Sequence, residues 1–322
     1  MANFDVTIAG ELNLDLILYG LPDELPPERE LLASEMSITL GSSSAIVAHN
    51  LASLGDRVGF VSCVGDDQFG QTALDRLRQA GVEVSKVVKK KGPAKTGLTV
   101  ILQRDGGRNI LTYPGTISDL RLEDLDLDYL SSSRHFHLSS FYLQKNLRPR
   151  VPELLKQMKA AGLTTSIDCN DDPADLWEND LVEALRYVDV FLPNAREVMR
   201  ITAHNNLEQA VEKLAKLVPV LVVKLGAKGA LARRGTEQHV SPALQINVVD
   251  PVGAGDSFDS GFLHRFIRGA DLRTCLDDGN LAGALSITRS GGTEAFRDRD
   301  HREHFYRDHD RSGREAIRSD TS

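Results

Sequence analysis

Short apolar runs that alternate with longer helical patterns are the feature of this sequence that most restricts its fold. Six runs are rich in β-branched residues and end in turn formers, which is typical of buried strands: 6–10, 58–65, 135–140, 164–170, 188–194 and 220–226. Helical patterns lie between them at 43–54, 70–80, 150–161 and 207–217. This alternation predicts an α/β fold, with a doubly wound, mostly parallel sheet flanked by helices. Ligands of such sheets bind beyond the carboxyl ends of the strands.

One region interrupts the alternation and predicts a second, smaller sheet. Two β-rich runs, 96–103 and 108–113, flank Asp105-Gly106-Gly107, which is a hairpin signal. The β-rich runs 14–18 and 35–40 could pair with this hairpin. We therefore expect one domain over residues 1–296, with a small β-sheet lid from about 11–40 and 94–116. Residues 297–322 are dense in charge and are expected to form a partly disordered tail.

Charge, cysteine content and hydropathy argue against several functions. The 322-residue chain has a formal net charge of -8, which argues against a dedicated nucleic-acid binder. Its three cysteines are far apart, so neither a disulfide framework nor a zinc site is expected, and free thiols fit a cytoplasmic protein. The longest apolar run is too short to span a bilayer, so we expect no membrane partner.

The segment 250–262, DPVGAGDSFDSGF, carries the strongest chemical signal. A strand-like run at 245–249 enters it and an amphipathic helix leaves it. Gly253 and Gly255 leave so little side chain at the turn that backbone N–H groups at the helix N-terminus can approach an anion directly. Asp256 follows on the first helical turn, within reach of that anion.

A carboxylate beside an anion hole suits phosphoryl transfer. The attacking hydroxyl must lose a proton, and the transferred group must have its charge stabilised. On spacing alone, Asp256 could equally be a helix cap. The chain contains no G-x-x-x-x-G-K-[ST] motif. The segment from Gly253 is not G-x-G-x-x-G either, because position 258 is Phe. A nicotinamide dehydrogenase is therefore disfavoured.

The same segment resembles the C-terminal signature of the ribokinase-like (PfkB) carbohydrate kinases. Other segments resemble that family's motifs in order and spacing: ELNLD at 11–15, GSSSAIVAHNLASLG at 41–55 followed by VGDDQFG at 64–70, NARE at 194–197 and VKLGAKG at 223–229. The resemblance covers roughly residues 5–292. It implies a kinase that transfers the γ-phosphate of ATP, with Mg²⁺, to a hydroxyl of a sugar or polyol. It also implies a homodimer formed through the lid.

The resemblance implies a role for each matching residue. The general base would be Asp256, and the anion hole would come from Gly253, Ala254 and Gly255. Substrate contacts would come from Asn13, Asp15, Gly41, Ser42, Ser43 and Asn170. The nucleotide would lie against Asn194, Lys224, Gly226, Gly229 and Asn280. Glu197 would hold Mg²⁺ through water, although Asn194 and Glu197 also match a capping box. A K⁺ site, mainly of backbone atoms, would lie at Asp250, Val252, Ser286, Arg289 and Gly291.

Three positions depart from the family's pattern. Ser42 replaces the second of two adjacent glycines, and Ile46 stands where an asparagine that contacts sugar is expected. Asp172 stands where many sugar-acid and fructose kinases carry Arg, and a carboxylate there would repel an anionic substrate. We therefore expect a neutral substrate, such as a ribose-like or fructose-like sugar or a polyol.

Two alternatives remain open from the sequence. A nucleoside kinase of the same family would need aromatic residues to stack on the base, and Tyr113, Phe141 and Tyr142 are available. A non-catalytic sugar- or nucleotide-binding protein on the same scaffold is the second alternative. The intact run from Gly253 to Asp256 argues against it.

Overall fold

The structure, a computed structural model, describes residues 2–104 and 107–309. Two residues of the predicted hairpin turn, 105–106, and the end of the predicted tail, 310–322, lie outside these residues. The strands are β1 (Phe4–Ala9), β2 (Asn13–Leu21), β3 (Glu35–Leu40), β4 (Val58–Val61), β5 (Cys63–Gly65), β6 (Val88–Lys90), β7 (Gly97–Arg104), β8 (Gly107–Tyr113), β9 (Ser133–Ser139), β10 (Thr164–Asp168), β11 (Val190–Phe191), β12 (Val220–Lys224), β13 (Ala230–Arg234) and β14 (Glu237–Ser241). The helices are α1 (Ser43–Ser53), α2 (Gln68–Gln79), α3 (Leu127–Ser131), α4 (Val151–Ala160), α5 (Asp180–Leu185), α6 (Ala195–Thr202), α7 (Leu207–Leu214), α8 (Ala254–Phe266), α9 (Leu272–Ser286), α10 (Glu294–Arg297) and α11 (Arg299–His309).

The main sheet has eight strands in the order β14-β13-β12-β11-β10-β9-β1-β4. The six from β12 to β4 are parallel, whereas β13 and β14 are antiparallel to their neighbours. One face of the sheet buries Phe136 and Phe191 against α4 to α7. The other face buries Ile8 and Phe60 against α1, α2 and α8. The predicted mostly parallel α/β sheet is confirmed, and its strands are nearly all apolar because both faces are covered.

The lid is a four-stranded sheet in the order β3-β2-β7-β8, which confirms the predicted second sheet. Its two faces differ in polarity because successive side chains of a strand point to opposite sides. Asp15 pairs with Thr99 on one face, and the next residue of β2, Leu16, pairs with Val100 on the other. The lid therefore has a polar face beside the main sheet's strand ends and an apolar face turned away from them.

Two predicted strands are wrong in detail. The run 58–65 forms two strands, of which β4 pairs with β1 and β5 pairs with β6. It divides there because β1 ends at Ala9, opposite Val61, and offers no further edge. The run 245–249 forms no strand. Instead, the Val249 amide donates to the Ile287 carbonyl oxygen just after α9, and the Val248 and Val249 side chains are exposed.

The start of the charged tail is helical. Phe296 of α10 and Phe305 of α11 share one buried cluster with α9. The expected domain boundary at 297 therefore falls within α10, and both α10 and α11 pack on the same body. No helix within the described ranges has the length and apolar character needed to cross a membrane.

Candidate active site

The turn into α8 leaves backbone amides without acceptors at the predicted anion hole. Gly253 caps the helix with φ +73°, and a Cβ atom there would overlap the backbone of Gly292. The first helical hydrogen bond runs from the Ser257 amide to the Gly253 carbonyl oxygen. Within the described residues, the amides of Gly253, Gly255 and Asp256 have no acceptor. These N–H groups are free to bind an anion at the positive end of the helix dipole.

Ala254 completes this turn with a weak bond only. Its amide lies 3.3 Å from the Pro251 carbonyl oxygen, which is beyond the usual N–H···O distance. The structure thus brings together Gly253, Ala254 and Gly255, the three residues expected to form the hole.

Asp256 is partly buried beside the hole. Burial raises its pKa to about 6, and the negative charge of Asp168 adds to the rise, while the positive charge of Lys224 and a hydrogen bond from Ser43 oppose it. A carboxylate with this pKa is mostly ionised at neutral pH and is a stronger base than an exposed aspartate. It suits the removal of a proton from a hydroxyl.

Lys224 lies at the centre of an acidic cluster. Its Nζ donates to Asp168 Oδ2 at 2.8 Å and to Asp259 Oδ2 at 3.0 Å. Carboxylate oxygens of Asp168, Asp256 and Asp259 lie within 4.8 Å of one another. Burial raises the pKa of Asp259, whereas the lysine charge lowers it. Lys224 also lines the cavity described below, and its expected contact with a nucleotide stays a prediction.

Asn194 and Glu197 form a complete capping box at the start of α6. The Asn194 amide donates to Glu197 Oε2 at 2.9 Å, and the Glu197 amide donates to Asn194 Oδ1 at 3.0 Å. Burial raises the pKa of Glu197 to about 7, with a further rise from the charge of Asp168. The capping-box interpretation is confirmed, and the magnesium role of Glu197 stays a prediction.

The carboxylates around Lys224 fit a divalent cation. Asp168, Cys169 and Glu197 also present atoms within 4.8 Å of one another. Because these acids outnumber the single lysine, the cluster has an excess of negative charge that a hard cation with oxygen ligands would balance. Asp168 and Glu197 are the residues that would orient a hydrated Mg²⁺ beside the anion hole.

The polar face of the lid presents Asn13 and Asp15. Asn13 Nδ2 donates to Asp15 Oδ1 and to Thr99 Oγ1, both at 3.3 Å. Burial raises the pKa of Asp15 to about 7, with a further rise from the charge of Asp256. A Cβ atom on Gly41 would overlap the Asp15 carboxylate. These three expected substrate residues are therefore in direct contact with one another.

The serines that follow Gly41 have separate roles. Ser42 caps α1: its Oγ accepts from the Ala45 amide and donates to the Glu11 carbonyl oxygen. Ser43 Oγ instead accepts from Asn170 Nδ2. Asn170 also donates to Ser140 Oγ at 2.9 Å. Ser43 thus lies between Asn170 and Asp256, whereas Ser42 is occupied by the helix N-terminus.

A cavity of about 350 Å³ opens beside the anion hole. The predicted nucleotide residues Lys224, Gly226, Gly229 and Asn280 line it, together with Ala254 and Gly255. Asn280 uses its Nδ2 to donate to Ser241. Asn194, the fifth predicted residue, is not part of this lining.

Asp250 binds its own loop and the lid. Its Oδ1 accepts from the Val252 amide at 2.9 Å, and its Oδ2 accepts from the Gly291 amide at 3.0 Å and from the Tyr19 hydroxyl at 2.7 Å. Ser286 Oγ is buried without a partner among the described residues. The Arg289 guanidinium turns to Asp298. Of the expected K⁺ residues, Val252 and Gly291 therefore contact Asp250, and the K⁺ role of the set stays a prediction.

The comparison with protein families decides the class. The sequence profile described as pfkB family carbohydrate kinase matches residues 3–299. The chain belongs to this family. A 2-dehydro-3-deoxygluconokinase from Bacillus subtilis is 29% identical over 82% of this kinase and 85% of its own length. An ATP-dependent ribose-1-phosphate kinase from Halopiger xanaduensis is also 29% identical, over 90% of this kinase and 94% of that protein. A proposed ribokinase II from E. coli, solved with ATP and Mg²⁺, superposes with a TM-score of 0.81 at 26% identity, covering 95% of this kinase and 99% of that chain.

Two residues of the kinase site were missed by the sequence analysis. Asp259 lies three residues after Asp256, so both share one face of α8. Tyr19 lies four residues after Asp15 on β2, so both share the inner face of the lid. Both spacings are visible in the sequence. They indicate shared faces only once helix α8 and strand β2 are known to border the site.

Two predicted roles of residues in substrate recognition were wrong. The Asp172 carboxylate accepts from the amides of Ala174, Leu176 and Trp177, so it holds a loop rather than facing a substrate. Phe141 and Tyr142 are 0% and 2% exposed in the core. Tyr113 pairs with Leu98 on the outer face of the lid. The aromatic residues proposed to stack on a nucleoside base are therefore unable to do so in this arrangement.

Ile46 packs where a polar substrate contact was expected. It is 3% exposed, and its methyl groups lie against Gly253 and Gly292. This contact supports the glycine turn that carries the anion hole.

Proposed function

We propose that this carbohydrate kinase transfers the γ-phosphate of ATP to a hydroxyl of a neutral sugar or polyol, with Asp256 as the general base. In this scheme the amides at 253–255 stabilise charge on the transferred phosphoryl group. Asp256 accepts the proton of the attacking hydroxyl. Mg²⁺, when bound with the nucleotide, neutralises phosphate charge.

The observation that carries the proposal is the pairing of unbonded amides with a raised-pKa carboxylate. The amides of Gly253 and Gly255 have no acceptor among the described residues, and Asp256 lies beside them with a pKa raised to about 6 by burial. A helix cap alone requires neither feature. Ala254 and Gly255 also line the adjoining cavity, together with Lys224, Gly226, Gly229 and Asn280, and this shared lining supports a nucleotide bound next to these amides.

The charges of the site support a neutral acceptor. Asp15 and Asp256 are close enough for the charge of Asp256 to raise the pKa of Asp15. Lys224 is held by two carboxylates and has little charge to offer a second anion. An acidic sugar would be repelled between Asp15 and Asp256, whereas a polyol offers hydroxyl donors to both. The expectation of a neutral substrate therefore depends on Asp15 and Asp256 rather than on Asp172.

A substrate panel tests the proposed chemistry. Neutral aldoses, ketoses, polyols, sugar acids, sugar phosphates and nucleosides would each be assayed with Mg·ATP by coupled ADP detection. We expect turnover with one or more neutral sugars or polyols and at least tenfold lower kcat/KM with acidic ones. Turnover confined to nucleosides would favour the nucleoside kinase. Ligand-dependent thermal stabilisation without ADP release would favour the non-catalytic binding protein.

Homodimer formation through the lid is a further part of the proposal. The register places Ile38, Leu16, Val100 and Leu111 in one row across the four strands. Ile38 and Leu111 are 43% and 56% exposed, and Met36 on the same face is 64% exposed. Burying this face against a second copy would remove apolar surface from water. A monomeric mass by light scattering at assay concentration would contradict it.

The cation proposal rests on the loop around Asp250. Ser286 Oγ, buried and without a partner among the described residues, offers one oxygen that a K⁺ ion could use, in addition to backbone carbonyl groups. The test is kinase turnover in KCl compared with choline chloride at equal ionic strength. Equal turnover in the two salts would contradict a K⁺ requirement.

A further inference from the structure

A second cavity lies away from the site of phosphoryl transfer. It has a volume of about 500 Å³ and is lined by the C-terminal ends of α1 and α2 together with α10 and α11. Three of its lining residues are arginines, Arg297, Arg299 and Arg302, and one is a histidine, His49. Such a concentration of basic side chains is unexpected on a chain whose formal net charge is -8.

Arg302 is the least compensated of these arginines. Its Nη1 donates to the Phe296 carbonyl oxygen, and the described residues supply no salt-bridge partner. Burial lowers its pKa from the usual value. By contrast, Arg297 pairs with Glu294, and Arg299 pairs with Glu303. A partly buried guanidinium with one carbonyl acceptor retains several donors, which an oxyanion could satisfy in bidentate fashion.

His49 adds a hydrogen-bond acceptor to the cavity wall. Asn50 Nδ2 donates to Ser257 Oγ and to the Gly292 carbonyl oxygen, each at 3.0 Å. Its Oδ1 therefore faces His49 Nδ1 at 2.8 Å and accepts a hydrogen bond from the Nδ1–H group. Burial lowers the pKa of His49 to about 4, so the ring is neutral and its Nε2 is an acceptor. Nε2 has no hydrogen-bond partner in the described part of the chain.

We propose that this cavity binds a phosphate group, either as free phosphate or as a phosphate monoester. Arg302 and Arg299 would bind the ionised oxygens, and His49 Nε2 would accept from a protonated oxygen. The cavity volume falls within the range of small-molecule sites, which is about 300–1,000 Å³. The same histidine is joined through Asn50 to Gly292, which packs against the glycine turn of the anion hole. The site is thus adjacent to the catalytic loop while being distinct from it.

Because His49 Nε2 is an acceptor, the cavity should prefer anions that carry a protonated oxygen. At about pH 6, inorganic phosphate carries a protonated oxygen. The second pKa of a phosphate monoester is about 6, so a fraction of the monoester carries a protonated oxygen at this pH as well. Sulfate is fully ionised and has no proton to donate. We therefore expect phosphate and phenyl phosphate to bind at least tenfold more tightly than sulfate. Comparison of phosphate with phenyl phosphate shows whether the free ion or the ester is preferred.

Isothermal titration calorimetry of the full chain at about pH 6 tests the assignment. Inorganic phosphate would be titrated into the unchanged protein and into the variants Arg302→Gln and Arg307→Gln. Arg307 is exposed on the same helix and does not line the cavity, so it is a matched control for charge. Any phosphate binding at the active site should be the same in all three proteins, so a difference between their isotherms reports on the cavity. We expect Arg302→Gln to raise the Kd of the cavity at least tenfold and Arg307→Gln to leave it unchanged.

A second variant tests whether a loss of binding in Arg302→Gln comes from the cavity rather than from unfolding. Arg299 has a side chain that is 78% exposed, so Arg299→Gln leaves the core intact and should weaken phosphate binding in the same direction. Circular dichroism would confirm that each variant is folded. Identical isotherms for all the proteins, or equal binding of sulfate and phosphate, would overturn the proposal.

Discussion

Replacement of Lys224 by Met would expose how much the buried charge cluster depends on one cation. Lys224 Nζ lies 2.8 Å from Asp168 and 3.0 Å from Asp259. At these separations each attraction is about 5–6 kcal/mol for an effective dielectric constant of about 20. Part of that attraction offsets the cost of burying three charges. Removing one member of such a cluster is expected to cost about 3–5 kcal/mol, because the carboxylates are left without a cation.

The pH dependence of that loss identifies its cause. Lys224 holds the pKa of Asp168 below its usual value, so this stabilisation is present above the unfolded pKa and is lost as the pH falls. In Lys224→Met, both carboxylates would have raised folded-state pKa values, and the penalty would be relieved as they take up protons. The difference in unfolding free energy should therefore be largest at neutral pH and shrink towards about pH 4.

Urea unfolding at several pH values measures this difference. Lys216→Met is the control, since Lys216 and Glu212 form an exposed pair with side chains 73% and 59% exposed; its removal should change stability by about 0.5 kcal/mol or less. A loss below about 1 kcal/mol for Lys224→Met, or a loss that does not vary with pH, would refute the account of the cluster.

Three further predictions concern the catalytic loop and the lid. Gly253→Ala should lose turnover and more stability than Gly81→Ala: both glycines have positive φ, which costs an alanine roughly 1–2 kcal/mol, but only Gly253 would meet backbone within 4 Å. Equal unfolding midpoints and retained turnover would contradict this. The acid limb of kcat/KM should lie near pH 6, because the raised pKa of Asp256 means that the base is lost as pH falls through that value. Asp168→Asn, which removes a charge that raises this pKa, should move the limb to lower pH; a limb near pH 4 in the unchanged enzyme would contradict both. Gly41→Ala should raise KM for the acceptor much more than KM for ATP, because its Cβ would overlap Asp15; equal changes in the two KM values would argue against Asp15 as a substrate contact.

The overall architecture was predictable because it depends on hydrophobic periodicity. Runs such as 6–10 and 220–226 are mostly apolar, as is typical of strands covered on both faces, and they became β1 and β12. The division of 58–65 was not predictable, because it depends on where the neighbouring strand ends. The failure of 245–249 to form a strand has a similar origin: its backbone bonds to the end of α9 rather than to a strand edge.

The site was predictable where function depends on backbone shape and unpredictable where it depends on tertiary partners. The glycine turn before Asp256 is visible in the sequence because only small residues permit it. The roles of Ser42 and Asp172 were not visible, because each side chain hydrogen-bonds nearby backbone amides that a sequence pattern does not place. The shared ion pairs of Lys224 likewise required the sheet order that brings β10, β12 and α8 together.

Turnover and nucleotide affinity of Asp256→Asn test the central claim most directly. Asparagine keeps the size of the side chain and the anion-hole amides while removing the proton acceptor. With the acceptor found in the substrate panel, kcat should fall by about 10²–10⁴-fold, while the calorimetric Kd for Mg·ATP and the unfolding midpoint stay close to those of the unchanged enzyme. A variant that retained most of its kcat would show that a different group accepts the hydroxyl proton.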